Sequence, residues 1–273
     1  MGRIRVGRLV AEVLREAGVK PSRKLGQHFL VDPRGPRLFL NGLTALGARE
    51  ALEIGPGAGS ITFEASRILD KIVAVEVDAR LASTLAHWLP PNVLVVIGDG
   101  VKAARSYPVR HVYSNTPFSL SSEIVEALAR NNRVEGAVLG IQREVAARLV
   151  AKPGSSDYGR LSILASLVFN VRVAGTIPPS WYYPRPEVYT SVVLIYRRRL
   201  WSQSIEAALK LASCAFTTRR KLAVRVLERC LKAMGCSGVK LGGLGGRRVW
   251  DLAPEEFELI AVECVRSRSL GEG

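Results

Sequence analysis

Apolar and polar segments follow one another in a regular order over residues 50–142. Short runs rich in Val, Ile and Leu predict strands at 50–54, 71–78, 92–99, 110–115 and 135–142. Helix-like segments between them begin at Ser60, Ala79 and Ser121. Strands that alternate with helices indicate a mostly parallel sheet with helices on both faces, which is the Rossmann-like α/β class.

The pattern changes after residue 142. Two further apolar runs, 170–177 and 190–197, are separated by the proline-rich PPSWYYPRP and by no helix. Two late strands joined in this way predict an antiparallel end to the sheet. Ahead of the sheet, helices are predicted over Val6–Ala17 and Pro33–Leu46.

The segment YRRRLWS at residues 196–202 marks the predicted domain junction. We expect a catalytic α/β domain with an N-terminal helical extension over residues 1–199, and a small all-helical domain over residues 200–273. The helices predicted beyond the junction are Gln203–Phe216, Arg219–Met234 and Pro254–Val265.

The charge of the chain points to a polyanionic partner. There are 39 Lys and Arg residues against 24 Asp and Glu, which gives a net charge of +15. Such an excess favours nucleic acid over an acidic membrane surface. No apolar run approaches the ~20 residues of a membrane span, and the charged N-terminal segment has no signal-peptide core. We therefore expect a cytoplasmic protein, and a monomer because no apolar stripe is left over for an interface.

The cysteines do not suggest a metal site. None of the four forms a C-x-x-C pair, and the histidines are scattered. Buried free thiols are the favoured state, and a disulfide between C-terminal helices stays open if the source is a hyperthermophile. The residues concerned are Cys214, Cys230, Cys236 and Cys264.

A glycine-rich turn, LEIGPGAGSIT, joins the first predicted strand to the next helix. Gly55, Gly57 and Gly59 match neither the dinucleotide fingerprint nor a phosphate-binding loop. The carboxylate of Glu53 would repel a pyrophosphate but could pair with a cationic ligand. S-adenosylmethionine carries a sulfonium and an amino group and has no phosphate, so it suits this turn.

Two more acids end the next two predicted strands. Glu76 lies where a carboxylate accepts both ribose hydroxyls, and Asp99 can accept from the exocyclic amine of an adenine. Each acid alone is typical of a solvated loop. Because the carboxyl ends of parallel strands meet at one edge, the acids together predict an S-adenosylmethionine site.

The stretch YSNTPFSLSS follows the fourth strand at the same edge. The side-chain oxygen of Asn115 and the carbonyl of Thr116 can each accept one hydrogen of an exocyclic ring amine. Pro117 stiffens the turn, and Phe118 offers a stacking face. An ordinary turn is the alternative. Tyr182 in the proline-rich segment is a candidate second stacking ring, or it packs beneath its loop.

Several motifs occur together in one order: KLGQHFLVD, LEIGPGAGSIT, VEVD, GD, QREVAARLVAKPGSSDYGRLSI, PPSWYYPRPEVYTSVV and AFTTRRK. In these blocks, from Lys24 to beyond Arg220, the chain resembles the small-subunit ribosomal RNA adenine N6,N6-dimethyltransferases, within the larger rRNA adenine methyltransferase family.

The resemblance implies S-adenosylmethionine-dependent dimethylation of two adjacent adenosines in the 3′-terminal hairpin loop of small-subunit rRNA, coupled to maturation of that subunit. The partner would be rRNA in a partly assembled subunit. Thr116 departs from the family's usual Leu or Ile, and His28 replaces an Asn. The implied cofactor positions are His28, Leu30, Gly55, Glu76, Asp99 and Asn115.

Basic residues near the C-terminus are candidate RNA contacts. Arg219, Arg220 and Lys221 are predicted to open a helix, and Arg247 and Arg248 flank a glycine turn. Contacts of this kind to phosphates give salt-dependent affinity without sequence choice. A solvated basic face is the alternative.

Two other functions remain open at this point. One is a large-subunit rRNA adenine N6-methyltransferase of the antibiotic-resistance type. The YGRLSI block and the C-terminal helices argue against this function. The other is a non-catalytic ribosome-assembly or transcription factor on the same fold. The intact Glu76, Asp99 and Asn-x-Pro-Phe set argues against it.

Overall fold

The computed structural model describes residues 6–21, 27–236 and 238–269. The Lys24–Gly26 part of the KLGQHFLVD motif lies outside these residues. The chain divides into two compact units. The first unit holds the residues up to 146 together with 171–197, and the second holds 147–170 and the chain from 198 onward. Residues 147–170 thus group with the C-terminal helices, although the predicted junction at 199/200 places them in the α/β domain.

A seven-stranded sheet forms the centre of the first unit, in the order β4-β3-β2-β5-β6-β9-β7. Neighbouring strands from β4 to β6 run parallel, and β9 runs antiparallel to β6. The predicted α/β sheet with an antiparallel end is confirmed. The strands are β1 (Phe29–Leu30), β2 (Glu50–Ile54), β3 (Lys71–Glu76), β4 (Val93–Ile97), β5 (His111–Asn115), β6 (Gly136–Gln142), β7 (Phe169–Ile177), β8 (Tyr182–Tyr183) and β9 (Thr190–Arg197).

Helices cover the sheet and complete the core. Leu52, Ile72 and Val138 lie on three strands and are fully buried, as expected where both faces of a parallel sheet are covered. The edge strand β4 is different, because Leu94 and Ile97 are 57% and 59% exposed. The helices are α1 (Val6–Glu16), α2 (Arg34–Ala45), α3 (Ser60–Ala65), α4 (Ala79–Trp88), α5 (Gly100–Ser106), α6 (Ser121–Arg130) and α7 (Arg143–Leu149).

Arg197 at the end of β9 fixes the C-terminal end of α6. Its guanidinium donates hydrogen bonds to the carbonyl oxygens of Leu128, Asn131 and Val134. The last carbonyls of a helix have no partner within the helix, so these bonds satisfy groups that burial would otherwise penalise. Burial lowers the pKa of Arg197 to about 10. The contact anchors the helix that follows the Asn115–Phe118 turn.

The second unit is helical, as predicted. The helices α8, α10 and α11 pack on α9, whose sequence is rich in Ala and Leu. Within the described ranges no helix is both long and apolar enough to cross a membrane. The helices are α8 (Arg160–Val168), α9 (Gln203–Ala215), α10 (Ala223–Ala233) and α11 (Pro254–Ser269).

Two disulfides link the helices of this unit, so the favoured prediction of free thiols is wrong. Cys214 of α9 pairs with Cys230 of α10, and Cys236 pairs with Cys264 of α11. Helix packing brings the paired Cα atoms to 5.9 and 5.3 Å, which is within the range that a disulfide spans. The Cys214–Cys230 pair is the disulfide between C-terminal helices that the sequence left open, and Cys236 of the second pair lies just after α10.

Candidate active site

A cavity of about 810 Å³ opens in the first unit at the carboxyl edge of the sheet. Its size is typical of a site for a small-molecule cofactor. Of the predicted first-unit site residues, only Gly59 does not line it; a Cβ added at Gly59 would clash with Cδ1 of Leu85, so this glycine faces α4. The lining includes His28, Leu30, Glu53, Gly55, Gly57, Glu76, Asp99, Asn115, Thr116, Pro117, Phe118 and Tyr182.

The glycine turn between β2 and α3 is bonded to the acid that ends β3. Gly57 has a φ of 56°, in the left-handed region that favours glycine. Its N–H donates to Oε2 of Glu76 at 2.9 Å. A Cβ added at Gly57 would lie 3.0 Å from Cε1 of Phe29, so the turn has little room for a side chain.

Glu76 is buried and held in place by main-chain donors. Besides the bond from Gly57, its Oε1 accepts from the N–H of Asp78 at 3.0 Å. Each carboxylate oxygen can accept more than one hydrogen bond, so both can still accept from a ligand hydroxyl. The carboxylate is therefore oriented before any ligand arrives.

Glu53 lies deeper, at 2% exposure, and the hydroxyl of Tyr113 donates to its Oε2 at 2.8 Å. Burial raises the pKa of Glu53 to about 8, and the nearby charge of Glu76 acts in the same direction. Glu53 is thus largely protonated at neutral pH, in contrast to the charged acid that the sequence pattern suggests. A cation placed beside it would lower its pKa again.

Asp99 caps the N-terminus of α5. Its Oδ1 accepts from the N–H groups of Val101 and Lys102 at 2.8 and 3.1 Å. An N-cap carboxylate of this kind stabilises a helix start by about 1 kcal/mol. The cap fixes the side chain at the cavity wall, so the structural role and the predicted ligand contact are compatible.

The Asn115 turn is fixed by the neighbouring strand. Asn115 ends β5 in register with Gly140 of β6, and the N–H of Thr116 donates to the Gly140 carbonyl at 2.9 Å. A Cβ added at Gly140 would lie 2.9 Å from Oδ1 of Asn115, so glycine leaves room for the carboxamide. Thr116 is 3% exposed. After Pro117, the turn leads into a short 3-10 segment and then α6.

His28 packs against the Asn115 turn. Its ring stacks on Phe118 with centroids 5.7 Å apart and planes 29° apart. The Nδ1 of His28 donates to the carbonyl oxygen of Pro184 at 2.7 Å, and this bond fixes the position of the ring. The protein therefore already supplies one stacking partner, His28, for the half-buried ring of Phe118.

Tyr182 does not fit its predicted role as a second stacking ring. It is 3% exposed, whereas a ring that receives a base needs an open face. Strands β1 and β8 pair antiparallel, with Leu30 opposite Tyr182 and Phe29 opposite Tyr183. The Tyr182 hydroxyl donates to Oδ1 of Asn115 at 3.0 Å.

Sequence reasoning missed Tyr113, which bonds to the lining residue Glu53, and two basic residues of the cavity lining itself. Tyr113 appears as one apolar position in a strand, and its partner Glu53 becomes evident only once β2 and β5 are paired in register. Lys102 and Arg105 on α5 also line the cavity and are exposed. The three-residue spacing on one short helix is the only signal that could have found this basic pair.

The basic residues of the second unit separate into two groups. Arg247 forms a two-bond ion pair with Glu256 at 2.6 and 2.8 Å, and Arg219 donates to the carbonyl of Ser156 at 2.7 Å. These two bind other parts of the protein, which differs from their predicted role as RNA contacts. The exposed members are Arg220, Lys221 and Arg248, and of these Arg248 also donates to the carbonyl oxygen of Arg220 at 2.7 Å.

The predicted helix start at Arg219 is wrong. Phe216–Thr218 forms a 3-10 turn, the following basic residues lie in a further turn, and α10 begins at Ala223. The guanidinium carbons of Arg219 and Arg220 lie 5.6 and 5.7 Å from the ring centroid of Trp250. Cation–π contacts at these distances hold the turn beside the ring.

The family model for ribosomal RNA adenine dimethylase matches residues 18–233 of the chain. The chain belongs to the ribosomal RNA adenine dimethylase family. A probable ribosomal RNA small subunit methyltransferase A of Aeropyrum pernix is 56% identical over 267 residues, which cover 96% of each chain. The same-named protein of Pyrobaculum aerophilum is 36% identical over 73% of this chain and 85% of its own.

Solved structures support the same fold. A dimethyladenosine transferase from Plasmodium falciparum gives a TM-score of 0.71 at 20% identity, over 85% of this chain and 97% of that one. The 23S rRNA methyltransferase ErmE gives 0.60 at 24% identity, over 87% and 99%. By its family, the chain is an S-adenosylmethionine-dependent methyltransferase that acts on adenine in ribosomal RNA of the small subunit.

Proposed function

We propose that this enzyme dimethylates the N6 amines of two adjacent adenosines in the 3′-terminal hairpin loop of small-subunit rRNA, as a step in maturation of that subunit. The observation that carries the proposal is the position of Asn115. Its carboxamide lines the same cavity as Glu76 and Asp99, so an amine held by Asn115 would lie close to a cofactor held by the two acids.

The donor set fits S-adenosylmethionine. Glu76, oriented by its main-chain donors, would accept from the ribose hydroxyls, and Asp99, held by its N-cap bonds, would accept from an adenine amine. Gly55 and Gly57 let the main chain approach the methionine part closely, with Glu53 beneath them. His28 and Leu30 line the same wall. When bound, S-adenosylmethionine supplies an electrophilic methyl group on a positively charged sulfur.

The Asn115 turn can prepare the target amine for attack. The nitrogen lone pair of adenine N6 is delocalised into the ring, so the free amine is a poor nucleophile. Hydrogen bonds to Oδ1 of Asn115 and to the Thr116 carbonyl would hold the nitrogen nearer to a tetrahedral geometry, with Phe118 against the ring. Orientation of this kind lowers the barrier without a strong base, since the ammonium product loses its proton easily.

The basic residues support an RNA partner. The net charge is +15, and Arg220, Lys221 and Arg248 are exposed in the second unit. Lys102 and Arg105 bring positive charge to the cavity itself. Because A-form RNA is read mainly by shape, we infer that target choice depends on docking to a partly assembled subunit.

The proposal is tested by incubating the protein with radiolabelled S-adenosylmethionine and small subunits that lack the modification. The label is then mapped along the RNA by primer extension and nuclease digestion. Dimethyladenosine at two adjacent positions of the 3′ hairpin is the expected result. Label in large-subunit RNA would instead support an enzyme of the antibiotic-resistance type, and absence of label on any RNA would support a binding factor.

The variant Asn115→Ala tests the role of the turn. We expect it to bind S-adenosylmethionine nearly as the wild type does, because Glu76 and Asp99 are unchanged, and to lose all but a residual rate of methyl transfer. Equal turnover by wild type and variant would refute the role of Asn115. Asn92→Ala provides a control for a carboxamide far from the cavity lining, since Asn92 donates to the carbonyls of Ser66 and Leu69.

A further inference from the structure

The carboxamide of Asn115 ends in two groups of almost the same size. One is an oxygen that accepts hydrogen bonds, and the other is an NH2 group that donates them. The terminal torsion of an Asn is broad, so rotation of the carboxamide exchanges the two groups. Only the oxygen can accept a hydrogen of a target amine. The proposed chemistry therefore needs a contact that selects one orientation.

Tyr182 makes such a contact. Its hydroxyl donates to Oδ1 of Asn115 at 3.0 Å, across 67 residues of sequence. A carbonyl oxygen has two acceptor positions, so Oδ1 can receive the phenol and a substrate hydrogen at the same time. The absence of a side chain at Gly140 leaves the oxygen the space to do so.

The phenol itself is rigidly held. Tyr182 is 3% exposed and lies opposite Leu30 in the antiparallel β1–β8 pair. Next to it, the carbonyl of Trp181 accepts from the N–H of Val31 at 2.8 Å. Burial raises the pKa of the Tyr182 phenol well above its usual value, so the hydroxyl keeps its proton and stays a donor at any working pH.

We propose that the Tyr182 hydroxyl is a positioning group for methyl transfer, which keeps Oδ1 of Asn115 directed so that it can accept a hydrogen of the target amine. The inference rests on the proposed function of the Asn115 turn and deepens it. Tyr182 acts through Asn115 and does not touch the reacting atoms. Its removal should slow the transfer step and leave ligand binding unchanged.

The variant Tyr182→Phe removes the hydroxyl and keeps the ring. We expect kcat to fall about tenfold to a hundredfold, which is the range for one lost hydrogen bond in an oriented site. The KM for RNA, the Kd for S-adenosylmethionine and the Tm should stay close to the wild-type values. Tyr183→Phe is the matched control, because Tyr183 is the next residue of the same strand and is 59% exposed.

A double-variant comparison separates positioning from a general structural role. In single-turnover reactions, Tyr182→Phe should slow the wild type but should not slow Asn115→Ala any further, since the carboxamide that it orients is gone. An unchanged kcat in Tyr182→Phe would overturn the inference. A fall in kcat accompanied by a comparable fall in cofactor affinity, or by a clearly lower Tm, would also overturn the inference, because the phenol would then support the fold.

The test is independent of which RNA is the target. Each variant is compared with wild type on the RNA that wild type labels. If that RNA proves to be from the large subunit, the proposed function fails while the Tyr182 comparison still gives its own answer. If wild type labels the small subunit and Tyr182→Phe is as fast, the positioning role alone fails.

Discussion

The main-chain N–H of Gly57 lies 2.9 Å from Oε2 of Glu76, so the glycine turn and the acid on the next strand form one hydrogen-bonded unit. The bond orients the carboxylate and at the same time holds the turn in its left-handed conformation. The cofactor contacts that we propose for the glycine turn and for Glu76 would therefore not be independent of each other.

Replacing Glu76 with Gln should weaken cofactor binding about tenfold to a hundredfold. Gln has one acceptor oxygen for the two main-chain N–H groups, and its NH2 group would face a donor. Isothermal titration calorimetry with S-adenosylmethionine measures the change. Glu135→Gln is the control, because Glu135 is in an exposed ion pair with Arg110. Equal losses in the two variants would contradict a specific role for Glu76.

Glu53 should make stability depend on pH. Its pKa is about 8 in the folded protein and close to 4.5 in the unfolded chain. Between these values the folded state retains a proton that the unfolded state has lost. The contribution of Glu53 to the free energy of unfolding therefore falls as pH rises from 4.5 to 8, by at most about 1.4 kcal/mol per pH unit, and is constant above that range.

The variant Glu53→Gln removes this titration while keeping an acceptor for Tyr113. Urea unfolding of wild type and variant at pH 5, 7 and 9 gives the difference in stability. We expect the variant to gain stability relative to wild type from pH 5 to pH 7, to gain further up to about pH 8, and to keep the full gain at pH 9. A difference that does not change with pH would mean that Glu53 ionises normally.

The disulfides should stabilise the second unit. They close loops with sequence separations of 16 and 28, and in the chain-entropy model each contributes roughly 3 to 4 kcal/mol. Variants that change either pair to Ser should unfold at lower temperature than wild type. Because all four cysteines lie between residues 214 and 264 and the cavity is lined by first-unit residues, cofactor affinity should be unaffected. An unchanged Tm after reduction would contradict the stabilising role.

RNA affinity should respond differently to the two groups of basic residues. Lys221→Gln should weaken RNA binding and reduce the slope of log K against log salt by about 0.7 to 0.9, with no change in Tm. Arg247→Gln should instead lower stability on the order of 1 to 2 kcal/mol, because Glu256 loses its ion-pair partner and keeps the bond from the N–H of Ala253. Filter binding at several salt concentrations and thermal unfolding measure the two effects. A salt slope altered by Arg247→Gln at unchanged Tm would assign that residue to the RNA.

Periodicity predicted the strands that are buried on both faces. The runs 50–54 and 190–197 have the same bounds in sequence and structure. The run at β4 is as apolar as they are, and nothing in it indicates an edge strand with Leu94 exposed. Position within a sheet depends on which strands pair, and a local pattern carries no information about pairing.

The site was predictable where strand ends specify it. Glu76 and Asn115 each end a strand, and Asp99 follows the end of β4 by two residues, so their common edge follows from the fold class. The bond between Tyr182 and Asn115 spans 67 residues, and that between Tyr113 and Glu53 spans 60. No local signal marks such pairs. The start of α10 was misplaced because its N-cap residue, Leu222, has no side chain that can cap a helix, so the sequence gives no signal for the first turn.

The pairing of β1 with β8 brings residues 29 and 30 together with 182 and 183. A ribosome makes the strands that carry Glu76, Asp99 and Asn115 well before it reaches Tyr182. A growing chain can therefore assemble the edge that would hold the cofactor while Asn115 still lacks its hydroxyl partner. Tyr182 is made after the other residues that line the cavity, so we expect competence for transfer to come later in synthesis than competence to bind.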